Sequence, residues 1–225
     1  MVRDRWRAAT RGDLRGLPAD VAPSLLGARL TTVVEGEKVV VRLTEVEAYH
    51  GRGTGALPDP GSHARMGPTA RNATMWGEPG HLYVYLSHGI HSCVNVVCGP
   101  DGVAGGILLR AGQVIEGTDA ATRRRPAART PRDLARGPGR LGDAVGLRHP
   151  FHDGIDAITG LPRHGAKARL ELLIDPLAEV ASGPRVGVAG VAGTAAFPWR
   201  YWIPGDPTVS PFRWGRGARE LSEAT

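Results

Sequence analysis

Apolar positions along this chain fall in short β-rich runs separated by turn-forming residues. LTTVV at 30–34 and KVVVRLTEVEAY at 38–49 flank Glu-Gly-Glu, which predicts a hairpin with Gly36 in its turn. A second group follows, with HLYVYL at 81–86, HSCVNVVC at 91–98 and GGILLRAG at 105–112 joined by the turn signals SHG and GPDG. The last strand candidates are ARLELLI at 168–174, RVGVAG at 185–190 and WRYWI at 199–203. Helical signals are fewer. Asp20 is placed to cap a helix that buries Val21, Leu25 and Leu26 and ends near Gly27, and a second helix is expected around LGDAVGL at 141–147. These elements predict an α+β fold, one mixed domain built on an antiparallel sheet. There is no internal repeat, no heptad and no glycine fingerprint for cradling a dinucleotide.

Length and composition agree with one domain, since 225 residues with 41% hydrophobic content suffice for a single core. Residues 1–17 read as a loose basic arm, 18–214 as the domain and 215–225 as a C-terminal tail. Charge changes the picture more. The formal net charge is +6 with 28 basic residues, of which only Lys38 and Lys167 are lysine, leaving 26 arginines. That balance favours a polyanionic partner. Residues 123–140 concentrate it, with seven arginines against the single acid Asp133, in a proline- and glycine-containing stretch that reads as a phosphate-gripping loop.

The N-terminus is charged throughout and no apolar run approaches the roughly 20 residues that span a bilayer, so a soluble, cytoplasmic protein without membrane contact is expected. Cys93 and Cys98 lie an odd number of positions apart on one strand, hence on opposite faces, which disfavours a disulfide between them.

Candidate chemistry gathers between residues 43 and 110. Three of the four tyrosines, Tyr49, Tyr83 and Tyr85, lie there with Glu47, Arg71, His88 and Asn95. A carboxylate among stacking surfaces suits hydrolysis of a bond whose cleavage develops positive charge. Glu45 shares a strand face with Glu47, and either acid could instead simply pair with an arginine. If the two came close, mutual repulsion would raise one pKa. Asn95 and Arg110 are polar residues inside apolar runs and need partners, Glu47 being the natural one for Arg110. His81, His88 and His91 lie close in sequence, but without HExxH or CxxC spacing no metal or other cofactor is expected.

EAY at 47–49, SHA at 62–64, T-x-RN-x-x-M at 69–75, PG-x-x-YVY at 79–85, N-V at 95–96 and LLRA at 108–111 stand in an order that resembles the alkyladenine, or 3-methyladenine, family of DNA glycosylases. The likeness continues through GPGRLGDAVGL at 137–147, RVGV at 185–188 and PWRYWIPGDPTVS at 198–210. It implies a curved antiparallel sheet flanked by helices, with a protruding hairpin. The implied activity is a monofunctional hydrolase in base excision repair. Such an enzyme flips alkylated, and in some cases deaminated, purines such as 3-methyladenine out of double-stranded DNA and leaves an abasic site. By the same resemblance Glu47 is catalytic with Arg110 orienting it, while Tyr49, His63 and Tyr85 sandwich the base. Asn95 filters purines, a backbone carbonyl near Val188 holds the water, and His88 is the intercalating wedge.

Tyr83 is assigned to packing. Lyase chemistry is not expected, because neither Lys38 nor Lys167 falls in a motif. A monomer suffices for capturing one base at a time. The chain departs from the family in having histidine where a tyrosine wedge is usual, a smaller group whose charge changes near neutral pH. It departs again in a longer 50–61 segment, expected to reshape the pocket rim, with Asp59 as the only match for the family's aspartate. The alternative reading is a catalytically weak protein that recognises lesions.

Overall fold

The structure, a computed structural model, describes residues 5–51 and 58–223. Residues 52–57, where part of the expected rim insertion falls, and the ends 1–4 and 224–225 lie outside the described residues. The elements run β1 (Trp6–Ala8), α1 (Pro18–Val21), β2 (Arg29–Val34), β3 (Glu37–His50), β4 (His81–Ser87), β5 (His91–Val97), β6 (Gly105–Glu116), α2 (Thr118–Arg124), α3 (Pro138–Val145), β7 (Ile155–Asp156), β8 (Ala166–Leu173), β9 (Ala181–Gly183), β10 (Arg200–Trp202) and α4 (Ala218–Glu223). The sheet is antiparallel with order β1-β8-β2-β3-β6-β5-β4-β7, while β10 joins β3 to β9. It curls into a half-barrel accompanied by a few helices, giving one α+β domain.

Local chemistry explains the first hairpin. Glu35 and Gly36 both take positive φ, 53° and 80°, as a two-residue type I′ turn requires, and Val34 faces Glu37 across it. Between β4 and β5, His88 and Gly89 also take positive φ, 50° and 71°, within a three-residue loop closed by Ser87 opposite His91. Strand β3 is 14 residues long and changes neighbours along its length. Residues 37–42 pair with β2 and 45–47 with β10, while β6 follows the other edge from Val40 to His50. Glu45 and Glu47 therefore sit between β6 and β10, with Tyr49 two residues further along beside β6.

Alternation then divides the sheet. Val46 and Ala48 of β3, Ile107 and Leu109 of β6, Val94 and Val96 of β5, and Leu82 and Val84 of β4 are fully buried in the main core with Leu141, Ala144 and Val145 of α3. The other face carries a row running Glu47, Leu108, Asn95, Tyr83 across four neighbouring strands. One face of the sheet packs the protein and the other presents chemistry.

Four expectations change. Asp20 does not cap the first helix: α1 starts at Pro18 after Leu17, with no side-chain cap, and proline's fixed φ sets its first turn. Val21, Leu25 and Leu26 are nonetheless buried, and Gly27 follows them at φ 77°. RVGVAG is not a strand, because Gly187 and Gly190 take φ of 71° and 63° and turn the chain there. The 123–140 stretch is not all loop, since α2 ends at Arg124 and α3 begins at Pro138. At the termini, β1 of the presumed arm pairs with β8, and Ser222 Oγ in α4 of the presumed tail accepts a bond from the Ala195 N–H at 3.3 Å. Cys93 and Cys98 are buried free thiols. Among the described residues no helix is long and apolar enough to cross a membrane.

Candidate active site

Glu47 is completely buried and accepts three hydrogen bonds. Its Oε2 receives the Tyr49 hydroxyl at 2.8 Å and Arg110 Nη1 at 3.2 Å, and its Oε1 receives the Val186 N–H at 2.6 Å. An ionised carboxylate has about four acceptor positions, so the arrangement leaves one. Burial together with the Glu47 charge pushes the Tyr49 phenol well above its ordinary range, which keeps it a donor.

Arg110 is aimed by a distortion of the sheet. Pairing passes from Ala111 opposite Glu45 to Leu109 opposite Val46, so Arg110 has no opposite residue and bulges toward the acids. It meets both: Nε donates to Glu45 at 3.1 Å, besides the Nη1 contact with Glu47. Burial alone would lower its pKa, but the charges of Glu47 and Glu45 outweigh this and hold it above the ordinary value. Glu45 is further occupied by Arg200 Nε at 2.6 Å and by the Ser210 N–H at 2.7 Å. Arg110 bonds both carboxylates and Arg200 bonds Glu45, so two arginines balance the two acids.

A second buried pair supports the first. Arg185 clamps Asp59 with two bonds of 2.8 and 2.7 Å and donates to the carbonyls of Ala48 and Ala192. Asp59 also accepts the backbone N–H of His50 and of Gly61. The Arg185 guanidinium lies 4.5 Å from the Tyr49 ring centre, covering one face of that ring, and its neighbour Val186 bonds Glu47. The Val188 carbonyl, the expected water holder, packs closely on Gly193 and Gly215, where a Cβ would come within 1.9 or 2.0 Å of its oxygen, and Val188 also lines the cavity in front of Glu47. Val186 N–H is the group this segment gives Glu47.

In front of Glu47 lies a cavity of about 1050 Å³ lined by its donors Tyr49, Arg110 and Val186, and by His63, Tyr83, Tyr85, Asn95 and His88. Five arginines (Arg65, Arg71, Arg110, Arg125 and Arg140) and no carboxylate line it among the described residues. Three of the rings, His63, Tyr83 and Tyr85, form a cluster. His63 meets Tyr85 edge-on at 4.6 Å, and Tyr83 stacks on Tyr85 at 5.4 Å. Tyr83 is buried and packs as expected, yet it also lines the cavity. Burial, then Arg71 and Arg65, lower the His63 pKa, which leaves its ring uncharged at neutral pH. Asn72 fixes the segment that carries His63, donating to the carbonyls of His63 and Gly67 at 3.0 and 3.1 Å. Asn95 Nδ2 donates to the Tyr83 carbonyl at 3.1 Å, so neighbouring backbone satisfies part of this amide and orients the rest. His88 is exposed at the β4–β5 turn. No three His, Cys, Asp or Glu side chains converge as metal ligands among the described residues.

The sequence model of a family described as methylpurine-DNA glycosylase (MPG) matches residues 14–207. This chain belongs to the methylpurine-DNA glycosylase family. It is 52% identical over 210 residues to a provisionally named 3-methyladenine DNA glycosylase of Nocardia farcinica, covering 92% of each protein. A relative of the same provisional name in Leifsonia xyli is 51% identical over 198 residues, 86% of this chain and 87% of the relative. A third, in Cutibacterium acnes, is 48% identical over 201 residues, 88% and 97% respectively. As a DNA-repair glycosylase of this family, the chain has its glutamate, arginine and aromatic motif residues in one place.

Several residues around the buried acids are not singled out by the sequence reading. Arg185, Arg200, Val186 and Ser210 each bond a buried acid. Arg185 and Arg200 lay in the noticed RVGV and PWRYWI motifs, and an arginine amid apolar residues was the available signal. The basic stretch also contributes less than its count implies. Arg123 and Arg124 pair with Glu37 and Arg125 pairs with Asp143, leaving Arg129, Arg132 and Arg140 exposed without ion pairs among the described residues.

Proposed function

We propose that this chain is a monofunctional glycosylase acting on double-stranded DNA, which rotates a damaged purine such as 3-methyladenine, or a deaminated one, into the cavity and hydrolyses its N-glycosidic bond. The observation that carries this is Glu47, held by three donors behind an aromatic, arginine-lined cavity with one acceptor position to spare. A water at that position loses a proton to Glu47 while its oxygen bonds C1′ of the sugar. The C1′–N bond breaks with its electron pair going to the base. For a cationic methylated purine that pair neutralises the leaving group, so no strong acid is needed. Glu47 also favours the positive charge that develops on the sugar. Arg110 orients Glu47, and Glu45 with Arg200 orients Arg110.

Tyr49 and the Tyr85–His63 wall hold the base, with stacking worth roughly 1–3 kcal/mol per base. Asn95 then presents the rest of its amide to the purine edge. Lys38 pairs with Glu116 at 2.9 Å and neither lysine lines the cavity, which supports hydrolysis without a lyase step. The chain acts as a monomer. The test is incubation with methylated duplex DNA followed by chromatography of the released bases: free 3-methyladenine is expected, and none at all would remove the reading.

The His63 pKa gives the reading a pH signature. A histidine whose pKa is depressed by burial stays neutral at pH 7 and takes up its proton at lower pH than an ordinary imidazole. Once charged it repels a cationic purine. Release of a cationic methylpurine is expected to fall relative to that of a neutral deaminated purine as pH drops from about 7 to 5, and His63→Phe is expected to flatten the ratio. A ratio equally steep in His63→Phe would clear His63 of the effect.

His88 is proposed as the wedge entering the gap left by the flipped nucleotide, carried on a protruding β4–β5 hairpin. His88→Tyr enlarges the stacked ring and is expected to tighten binding to an abasic-site duplex several-fold, about 1 kcal/mol. Equal affinities of the two proteins would take His88 out of the DNA interface.

A further inference from the structure

Residues 211–216 read Pro-Phe-Arg-Trp-Gly-Arg and follow the last residue matched by the family model, 207. Phe212 and Trp214 are each 38% exposed, with their rings edge to face at 4.9 Å. Arg213 and Arg216 are exposed, and neither has an ion-pair partner among the described residues. Backbone contacts fix the place of this strip. Gly187 N–H donates to the Arg213 carbonyl and Gly190 N–H to the Arg216 carbonyl, both at 2.9 Å. A Cβ on Gly215 would stand 2.0 Å from the Val188 oxygen, so only glycine allows the two segments to close.

The 186–189 segment that the strip lies against is itself a wall of the cavity. Three residues before Phe212, the Val209 carbonyl accepts a bond from Arg136 Nε at 2.9 Å, which ties this part of the chain to the arginine-rich stretch whose Arg125 and Arg140 line the same cavity. The basic mouth therefore continues outward over Arg213 and Arg216.

Unpaired guanidinium groups interleaved with exposed rings suit a polyanionic chain, because phosphates take the cations while sugars or unstacked bases pack on the rings. A second protein copy would have to bring carboxylates to this arginine strip, and the continuity with the cavity favours nucleic acid. We propose that the Phe212–Arg216 strip is a second DNA-contact surface, holding the strand that flanks the flipped nucleotide on the side of the 186–189 wall. It rests on the glycosylase reading and extends the footprint beyond the matched family region.

The test measures affinity of the full chain for a labelled abasic-site duplex across a salt series. The Arg213→Ala/Arg216→Ala double variant is expected to lower the slope of log affinity against log salt by roughly 1.8, two phosphate contacts at about 0.9 each. Trp214→Ala is expected to weaken binding with the slope unchanged. Arg219→Ala serves as the control, since Glu223 already holds that guanidinium at 2.9 Å, and its slope should equal that of the unaltered protein. Wild-type slope and affinity in the double variant would overturn the proposal, as would an equal loss in Arg219→Ala, which would mean that bulk charge alone is responsible. Failure of the unaltered protein to bind the duplex would overturn the glycosylase reading and this proposal together, and is distinguishable from failure in the variants alone.

Discussion

Glu47→Gln binds an abasic-site duplex but releases methylated purines at least about 100-fold more slowly than the unaltered protein, the low end of what one positioned proton acceptor contributes. Glutamine keeps the size of the side chain but offers one acceptor oxygen and a donor NH2. The three donors of Tyr49, Arg110 and Val186 cannot all be satisfied by it. Its amide neither accepts the water's proton nor balances charge on the sugar. The substitution also leaves Arg110 and Arg200 with Glu45 as the one acid between them, so a lower melting temperature accompanies the lost rate. Retained DNA binding separates the two effects, because an unfolded variant would lose both. Base release by Glu47→Gln at the unaltered rate would falsify the catalytic assignment.

Asp59→Ala is expected to cost about 3–5 kcal/mol of stability, the usual penalty for stranding one member of a buried ion pair. Arg185 and Asp59 side chains are both fully inaccessible, and the guanidinium has no second carboxylate among its hydrogen-bond partners. For a domain of this size the loss corresponds to a fall of roughly 6–20 °C in Tm, read by calorimetry. A companion Asp59→Leu/Arg185→Met variant removes both charges and should regain the part of the loss that comes from the stranded guanidinium, while the His50 and Gly61 N–H and the Ala48 and Ala192 carbonyls still lose their partners. A drop below about 1 kcal/mol in Asp59→Ala would show the pair to be dispensable. The pair also reaches the chemistry, since Arg185 covers Tyr49 and precedes the Val186 N–H that holds Glu47. Asp59 thus acts from behind the cavity wall, through Arg185, and does not line the cavity itself.

Much of the sheet was legible because hairpins are local. Glu35-Gly36 and His88-Gly89 need only their own backbone freedom to reverse the chain, and the flanking runs alternate as half-buried strands must. Legibility failed where the decision was not local. RVGVAG has the residues of a strand, but it turns around Gly187 and Gly190 to bring Val186 to Glu47 and to accept the 212–216 strip. The first helix needed no cap from Asp20 because Pro18 already set its opening turn. The termini looked like loose ends by composition, yet β1 completes a sheet edge and α4 docks beside residues 190–193.

Period-two alternation in the sequence by itself determined that Glu45, Glu47 and Tyr49 share one face of a strand, and motif order determined the family to which that face belongs. Which charges pair was decided only by tertiary structure. Glu47 meets Arg110 across 63 residues, Asp59 meets Arg185 across 126 and Glu45 meets Arg200 across 155. Periodicity specifies the direction of a side chain relative to its own strand, whereas an ion pair depends on where two distant strands cross. The bulge that turns Arg110 toward both acids exists only once β3 and β6 are in register.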